Sequence, residues 1–208
     1  MSPICVASFP RSGTHFLIES INYNFHYGPK WFPYDEVAGY PTNDNLVGKT
    51  HCPWHLLKDK DYKFIYIYRN FTDVCTSIWY YHKRAKGKWT NPKTVDEMPE
   101  WDPLHEATWC REQGFKTYWE CWESHLTRWI KNSPGLYFSY EQLHGDFNYC
   151  MDEIGKFIGK KRNGIYTKPP LCGIYPRKGI VGDAESHMSS EVLKKWNGFS
   201  NSVLDKLL

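Results

Sequence analysis

The sequence predicts a three-layer α/β/α fold built on a mostly parallel central sheet, entered through a phosphate-binding strand–loop–helix. Three observations carry this expectation. Strand and helix signals alternate along the chain, the pattern of repeated crossovers between parallel strands. The clearest strand, KFIYIY at Lys63–Tyr68, is rich in β-branched and aromatic residues, as suits a strand buried on both faces. The first strand runs directly into FPRSGTHF (Phe9–Phe16), a glycine-containing turn that opens an amphipathic helix.

In chain order, residues 3–8 read as a buried strand and about 13–26 as a helix with Phe16, Leu17, Ile21 and Phe25 on one face. Tyr27 to Asn45, rich in Pro, Gly and Tyr, reads as loop. Leu46–Thr50 is a short strand, followed by a helical turn near Trp54–Leu57. After Lys63–Tyr68, a helix runs from Asp73 to about Arg84, with its acidic residue in the favourable first turn. Ala85–Glu112 mixes tryptophans, charges, prolines and glycines and reads as an ordered insertion or lid. A helix from about Gly114 to Lys131 ends at the turn Ser133-Pro134-Gly135. LYFSYEQL then forms a fourth strand leading into a short helix, where Ser139 and Gln142 have capping-box spacing. Another helix spans Asn148–Ile158, and an irregular tract follows from Gly159 to Asp183. Two C-terminal helices are expected, near Ser190–Trp196 and Ser202–Leu207.

Residues 1–208 are read as a single domain, long enough to bury a substantial core. The 26 basic and 23 acidic residues nearly balance, which argues against a nucleic-acid partner but leaves room for a local anion pocket. Aromatic residues reach 17 %, enough to line a pocket for a flat or apolar ligand as well as a core. No apolar run approaches the ~20 residues of a membrane span, and the N-terminus lacks a signal-peptide pattern. Seven scattered cysteines without a CxxC pair read as buried reduced thiols. A cytoplasmic protein without a metal is therefore expected; His51 and His55 lie four apart with no further ligand pattern.

Four places carry chemistry. In FPRSGTHF, Gly13 permits close backbone approach to an anion, Ser12, Thr14 and His15 offer amides at a helix start, and Arg11 adds a fixed cation. The GK[ST] ending of a triphosphate loop is absent. After the Lys63–Tyr68 strand, Arg69 stands where a nucleotide hydrolase commonly carries an acidic metal ligand, with Ser77 further along the helix. Arg69 alternatively pairs with Asp73 or Glu141 as a structural ion pair. In GKTHCPWHLL, Lys49 and His51 alternate and can face one way, a cation beside a possible general base. In YPRKGIVGD, Arg177 and Lys178 precede Gly179 in a loop able to close a cationic tip over a phosphate; the KKR at Lys160–Arg162 reads as an exposed charge run.

Together with LYFSYEQL, these elements resemble, in order, the sulfotransferases that use 3′-phosphoadenosine 5′-phosphosulfate (PAPS), over Ile4 to Glu191. FPRSGTHF is similar to that family's 5′-phosphosulfate loop, KTHCPWHLL to its KTHLP…LL segment, and YRNFTDVCTSIWYYH to its 3′-phosphate motif. RKGIVGDAESH resembles RKGxxGDWKNH. The resemblance implies that Arg11, Ser12, Gly13, Thr14 and His15 hold the 5′-phosphosulfate end and that Phe16 takes the adenine-stacking position. It implies that Arg69 and Ser77 bind the 3′-phosphate, with Arg177, Lys178 and Gly179 closing over it, and that Tyr140 lies by the adenine. His51 then matches the catalytic base, and Lys49 and Arg11 neutralise charge. The implied activity is O-sulfotransfer from PAPS to a small-molecule or glycosidic hydroxyl, leaving PAP, by a monomer or homodimer.

Departures from the pattern are Arg11 in place of a lysine and AES in place of WKN before His187. The chain also begins at the phosphate loop, so the acceptor site is expected from Tyr27–Asn45 and Trp79–Trp122. Two alternatives stay open: a non-catalytic PAP- or PAPS-binding module, and a small-molecule P-loop kinase.

Overall fold

A computed structural model describes residues 3–27, 31–33 (backbone only), 47–84, 92–102, 114–161, 165–169 and 179–208. Five parallel strands form one sheet in the order β2-β3-β1-β4-β5. They are β1 (Ile4–Ala7), β2 (Trp31–Pro33), β3 (Val47–Thr50), β4 (Lys63–Tyr68) and β5 (Leu136–Ser139). The α-helices among the described residues are α1 (Thr14–Phe25), α2 (Phe71–Arg84), α3 (Tyr118–Asn132), α4 (Tyr140–Gly145), α5 (Phe147–Ile158) and α6 (Ser190–Leu207). The expected three-layer α/β/α architecture is present.

Strand alternation explains the layers. On β1, Ile4 and Val6 face α1 and α5, joined by Ile65 and Ile67 of β4 and by Leu17, Ile21 and Ile154. Cys5 and Ala7 face the other way with Phe64, Tyr66 and Tyr68, against Phe71, Val74 and Ile78 of α2 and Trp122, Leu126 and Trp129 of α3. Because successive side chains point to opposite faces, a fully apolar strand builds two cores at once.

Several expectations are corrected. The stretch read as loop contains β2, paired in parallel with β3, Trp31 opposite Val47 and Pro33 opposite Lys49. β2 is an edge strand, where a proline's missing N–H costs no ladder bond. The two expected C-terminal helices are one, α6, which runs through Gly198. α2 begins at Phe71 rather than Asp73, because the Asn70 side chain accepts from the Thr72 amide at 2.9 Å and caps the helix. α3 begins at Tyr118, set by a capping box between Thr117 and Glu120. Lys160 is not merely solvated: its ammonium donates to the Phe25 carbonyl at 3.3 Å, completing the C-terminus of α1, and sits 3.6 Å from the Tyr27 ring centre. Cys5, Cys52, Cys75 and Cys150 are buried free thiols, as expected, but Cys121 is disulfide-bonded. Most of the insertion expected at Ala85–Glu112, most of Tyr27–Asn45, and Arg177 and Lys178 lie outside the described residues.

Candidate functional site

The site lies where β3, β1, β4 and β5, four adjacent strands, reach their carboxyl ends. The Leu17 amide makes the first backbone bond of α1, to Gly13 at 3.1 Å, so the amides before it point out of the helix start. Two residues turn the loop through left-handed backbone, Arg11 at φ 66° and Gly13 at φ 97°. At Gly13 an added Cβ would lie 2.3 Å from Cδ2 of Tyr140, so shape and dihedral both demand glycine. Ser8 Oγ and Thr14 Oγ1 are 2.6 Å apart and brace the loop. Ser12 is wholly buried, and among the described residues its hydroxyl has no partner.

The first and second motifs are joined directly. Arg11 Nε donates to Ser77 Oγ at 3.2 Å, and its guanidinium lies 5.2 Å from the Tyr81 ring centre. Arg69, 7 % exposed, donates through Nη2 to Asp73 Oδ2 at 3.2 Å and to the Ile180 carbonyl at 2.8 Å, and sits 4.4 Å over the Tyr140 ring. The structural ion pair with Asp73 therefore exists, while Glu141 instead accepts from the Asn70 amide at 3.1 Å. Among the described residues the buried Arg69 Nε has no partner, which makes it a candidate donor for an anion.

Asp73 has a second task. Its Oδ1 accepts from the Ala184 amide at 2.8 Å and its Oδ2 from the Gly182 amide at 2.9 Å, latching the chain after Gly179 onto α2. Gly179 takes φ 63°, a turn conformation suited to glycine.

Lys49 and His51 stand at the end of β3 and just past it. Burial and the neighbouring Arg11 charge bring the Lys49 ammonium down to about 8. His51 Nδ1 lies 2.8 Å from the Ser8 carbonyl. A carbonyl only accepts, so Nδ1 carries the hydrogen and Nε2 keeps its lone pair in the neutral ring. Burial first, then the Lys49 charge, push His51 down to about 3, which keeps it neutral near pH 7. His15 is lowered to about 4 by burial and by the charges of Lys49 and Arg11, so these three side chains share one electrostatic field.

Phe16 joins the cluster through Tyr140. Phe16 stacks on His144 at 4.7 Å and meets Tyr140 edge-on at 6.3 Å. Tyr140 itself is buried against Gly13 and Arg69. Sequence reasoning missed three contributors: Asp73 as a latch, and the buried Tyr66 and His125 beneath His51. The Thr117–Glu120 box was a readable signal that α3, the helix holding His125, starts at Tyr118. Nothing local distinguished Tyr66 from its aromatic neighbours in the strand.

A family model described as the sulfotransferase domain matches residues 34–168 of this chain. Sulfotransferase 1A1 of Bos taurus is 28 % identical over 237 residues, covering 88 % of this chain and 77 % of the relative. Cytosolic sulfotransferase 3 of Arabidopsis thaliana is 24 % identical, covering 92 % and 73 %. Among solved structures, a mouse sulfotransferase complexed with PAP superposes with a TM-score of 0.68 at 19 % identity, covering 98 % of this chain and 84 % of that one. Retinol dehydratase in complex with retinol and PAP gives 0.64 at 20 % identity, covering 98 % and 82 %. The family match and the parallel sheet with its motifs at the carboxyl edge agree, and the chain belongs to the sulfotransferase domain family.

Proposed function

We propose that this chain moves a sulfuryl group from PAPS to a hydroxyl of a small-molecule or glycosidic acceptor, with His51 as general base. The observation that carries the reading is the tautomer of His51: its Nδ1–H is held by the Ser8 carbonyl, which leaves Nε2 as a neutral, proton-accepting atom beside a cationic loop. The residues suit a polyanionic donor: among the described residues buried Ser12 Oγ and Arg69 Nε meet no partner, and Arg11 and Lys49 crowd their charges together.

PAPS, when bound, supplies the sulfuryl group and keeps the electron pair of its broken sulfur–oxygen bond on the 5′-phosphate of PAP. Arg11, the amides of Gly13, Thr14 and His15, and Ser12 Oγ would hold that phosphate and stabilise the charge gathering there. His51 Nε2 takes the hydroxyl proton as the new oxygen–sulfur bond forms. Arg11 stays protonated throughout, so it stabilises charge without acting as an acid. Arg69 and Ser77 would take the 3′-phosphate, with Arg177, Lys178 and Gly179 beside it, and Phe16 and Tyr140 would border the adenine. A cytoplasmic location and a monomeric or homodimeric state belong to the same proposal.

PAP release during incubation with PAPS and a panel of phenols, alcohols and sugars tests the activity, with calorimetric titration of PAP as the binding test. Micromolar PAP binding together with His51→Ala abolishing transfer is the expected result. Absence of any PAP affinity would sink the reading, and PAP binding with no transfer to any acceptor would leave a nucleotide-binding module.

A further inference from the structure

We propose that Tyr66 and His125 form a buried strut that fixes His51 against the phosphate loop, which makes both of them positioning residues for the reaction. The inference rests on the reading of His51 as the base.

The chain of contacts runs in one direction. The Tyr66 hydroxyl takes a hydrogen bond from the Phe9 backbone, in the phosphate loop, and lies 2.8 Å from His125 Nδ1. His125 Nε2 lies 3.1 Å from the carbonyl oxygen of His51. A carbonyl can only accept, so Nε2 carries the hydrogen; in a neutral ring Nδ1 is then the acceptor, and Tyr66 must donate to it. Each group therefore donates onward from the Phe9 amide to the His51 carbonyl, a polarised series in a dry environment where such bonds reinforce one another.

Burial enforces the assignment. His125 is fully buried, with Tyr66 stacked at 5.7 Å and Phe9 edge-on at 5.7 Å, and burial holds the imidazole far below its ordinary value, at about 3. A core histidine needs partners, but the choice of partner here is informative. β3 ends at Thr50, so the carbonyls of His51 and Cys52 fall beyond its described ladder. α3 supplies side-chain donors for both, His125 to His51 and Trp129 Nε1 to the Cys52 carbonyl at 3.1 Å. His51 is thus anchored twice, by its ring to Ser8 and by its backbone to His125. Both anchors lead back to the loop after β1.

The test uses the full chain with Tyr66→Phe, His125→Leu, His125→Gln and, for assignment, His51→Ala. Glutamine keeps a donor near the Nε2 position and serves as the rescue. Long-range ¹⁵N spectra of histidine-labelled protein should show His51 in the Nδ1–H form in wild type and in His125→Gln. They should show a mixed, solvent-like tautomer in His125→Leu, and Tyr66→Phe in between. PAP affinity by calorimetry should change less than about twofold, while turnover of any acceptor used by wild type falls about tenfold or more. An unaltered His51 tautomer in His125→Leu would overturn the strut. So would a shared loss of PAP affinity and melting temperature that glutamine fails to rescue, since that marks a core role alone. If His51→Ala keeps wild-type turnover, the base assignment falls instead, and the spectra still decide the strut.

Discussion

Gly13 shows how little freedom the donor loop has. Its left-handed dihedral and the Tyr140 ring both exclude a side chain. Gly13→Ala should therefore lose PAP binding by more than tenfold in calorimetry and lower the melting temperature, since the clash is with a buried ring. Lys49 offers a sharper measurement. Burial and Arg11 disfavour its charge and bring the ammonium down to about 8. A bound anion favours the charged form and raises that value, so PAP binding at pH 8 should take up protons, and affinity should fall as pH rises above 8. Titrations in two buffers of different ionisation enthalpy read the uptake directly, and identical heats in both would refute it. Gly13, Arg11, Lys49 and His51 were all legible in the sequence because each belongs to a short local pattern. Asp73 was legible only as a partner for Arg69. Its bonds to Gly182 and Ala184 span more than a hundred positions, and no local pattern encodes such a contact.

Among the elements, α3 and α6 carry the clearest consequences. α3 starts at a full capping box, where Thr117 Oγ1 accepts from the Glu120 amide at 3.2 Å. Thr117→Ala should cost about 1 kcal/mol in urea unfolding, and an unchanged midpoint would show that tertiary packing alone holds the helix. α6 passes unbroken through Gly198, where an added Cβ meets nothing within 4 Å. Gly198→Ala should stabilise the protein by roughly 0.5–1 kcal/mol, read as a rise in melting temperature. A fall would mean that the glycine is needed for a contact in solution. The sequence suggested a break there because glycine and serine are poor helix formers, yet Trp196 and Ser200 are buried on one face of α6 and packing overrides propensity. β2 escaped for a related reason. Three residues ending in proline have too little pattern to announce a strand, and its pairing with β3 defines it.

Across the whole molecule, the sheet divides two cores, and three histidines are held neutral near its carboxyl edge. His51 and His125 are lowered to about 3 and His15 to about 4, against an ordinary value near 6.5 in the unfolded chain. Between about pH 6.5 and 3 the unfolded chain thus binds more protons, so stability falls as pH drops through that window. Melting temperatures measured from pH 7 to pH 4 should decline, with a shallower decline in His125→Gln; a flat profile would contradict buried neutral imidazoles. The sequence by itself determined the fold class, four of the five strands and the motifs that follow them. It could do so because hydrophobic periodicity and the chemistry of a phosphate loop are local. Only the tertiary structure decided that Arg11 meets Ser77, that Asp73 latches the chain after Gly179, and that the Tyr66 hydroxyl meets His125 while His125 meets the His51 carbonyl. Those outcomes depend on which distant donors and acceptors the packed layers bring within 3 Å or so of one another, and no spacing along the chain specifies that.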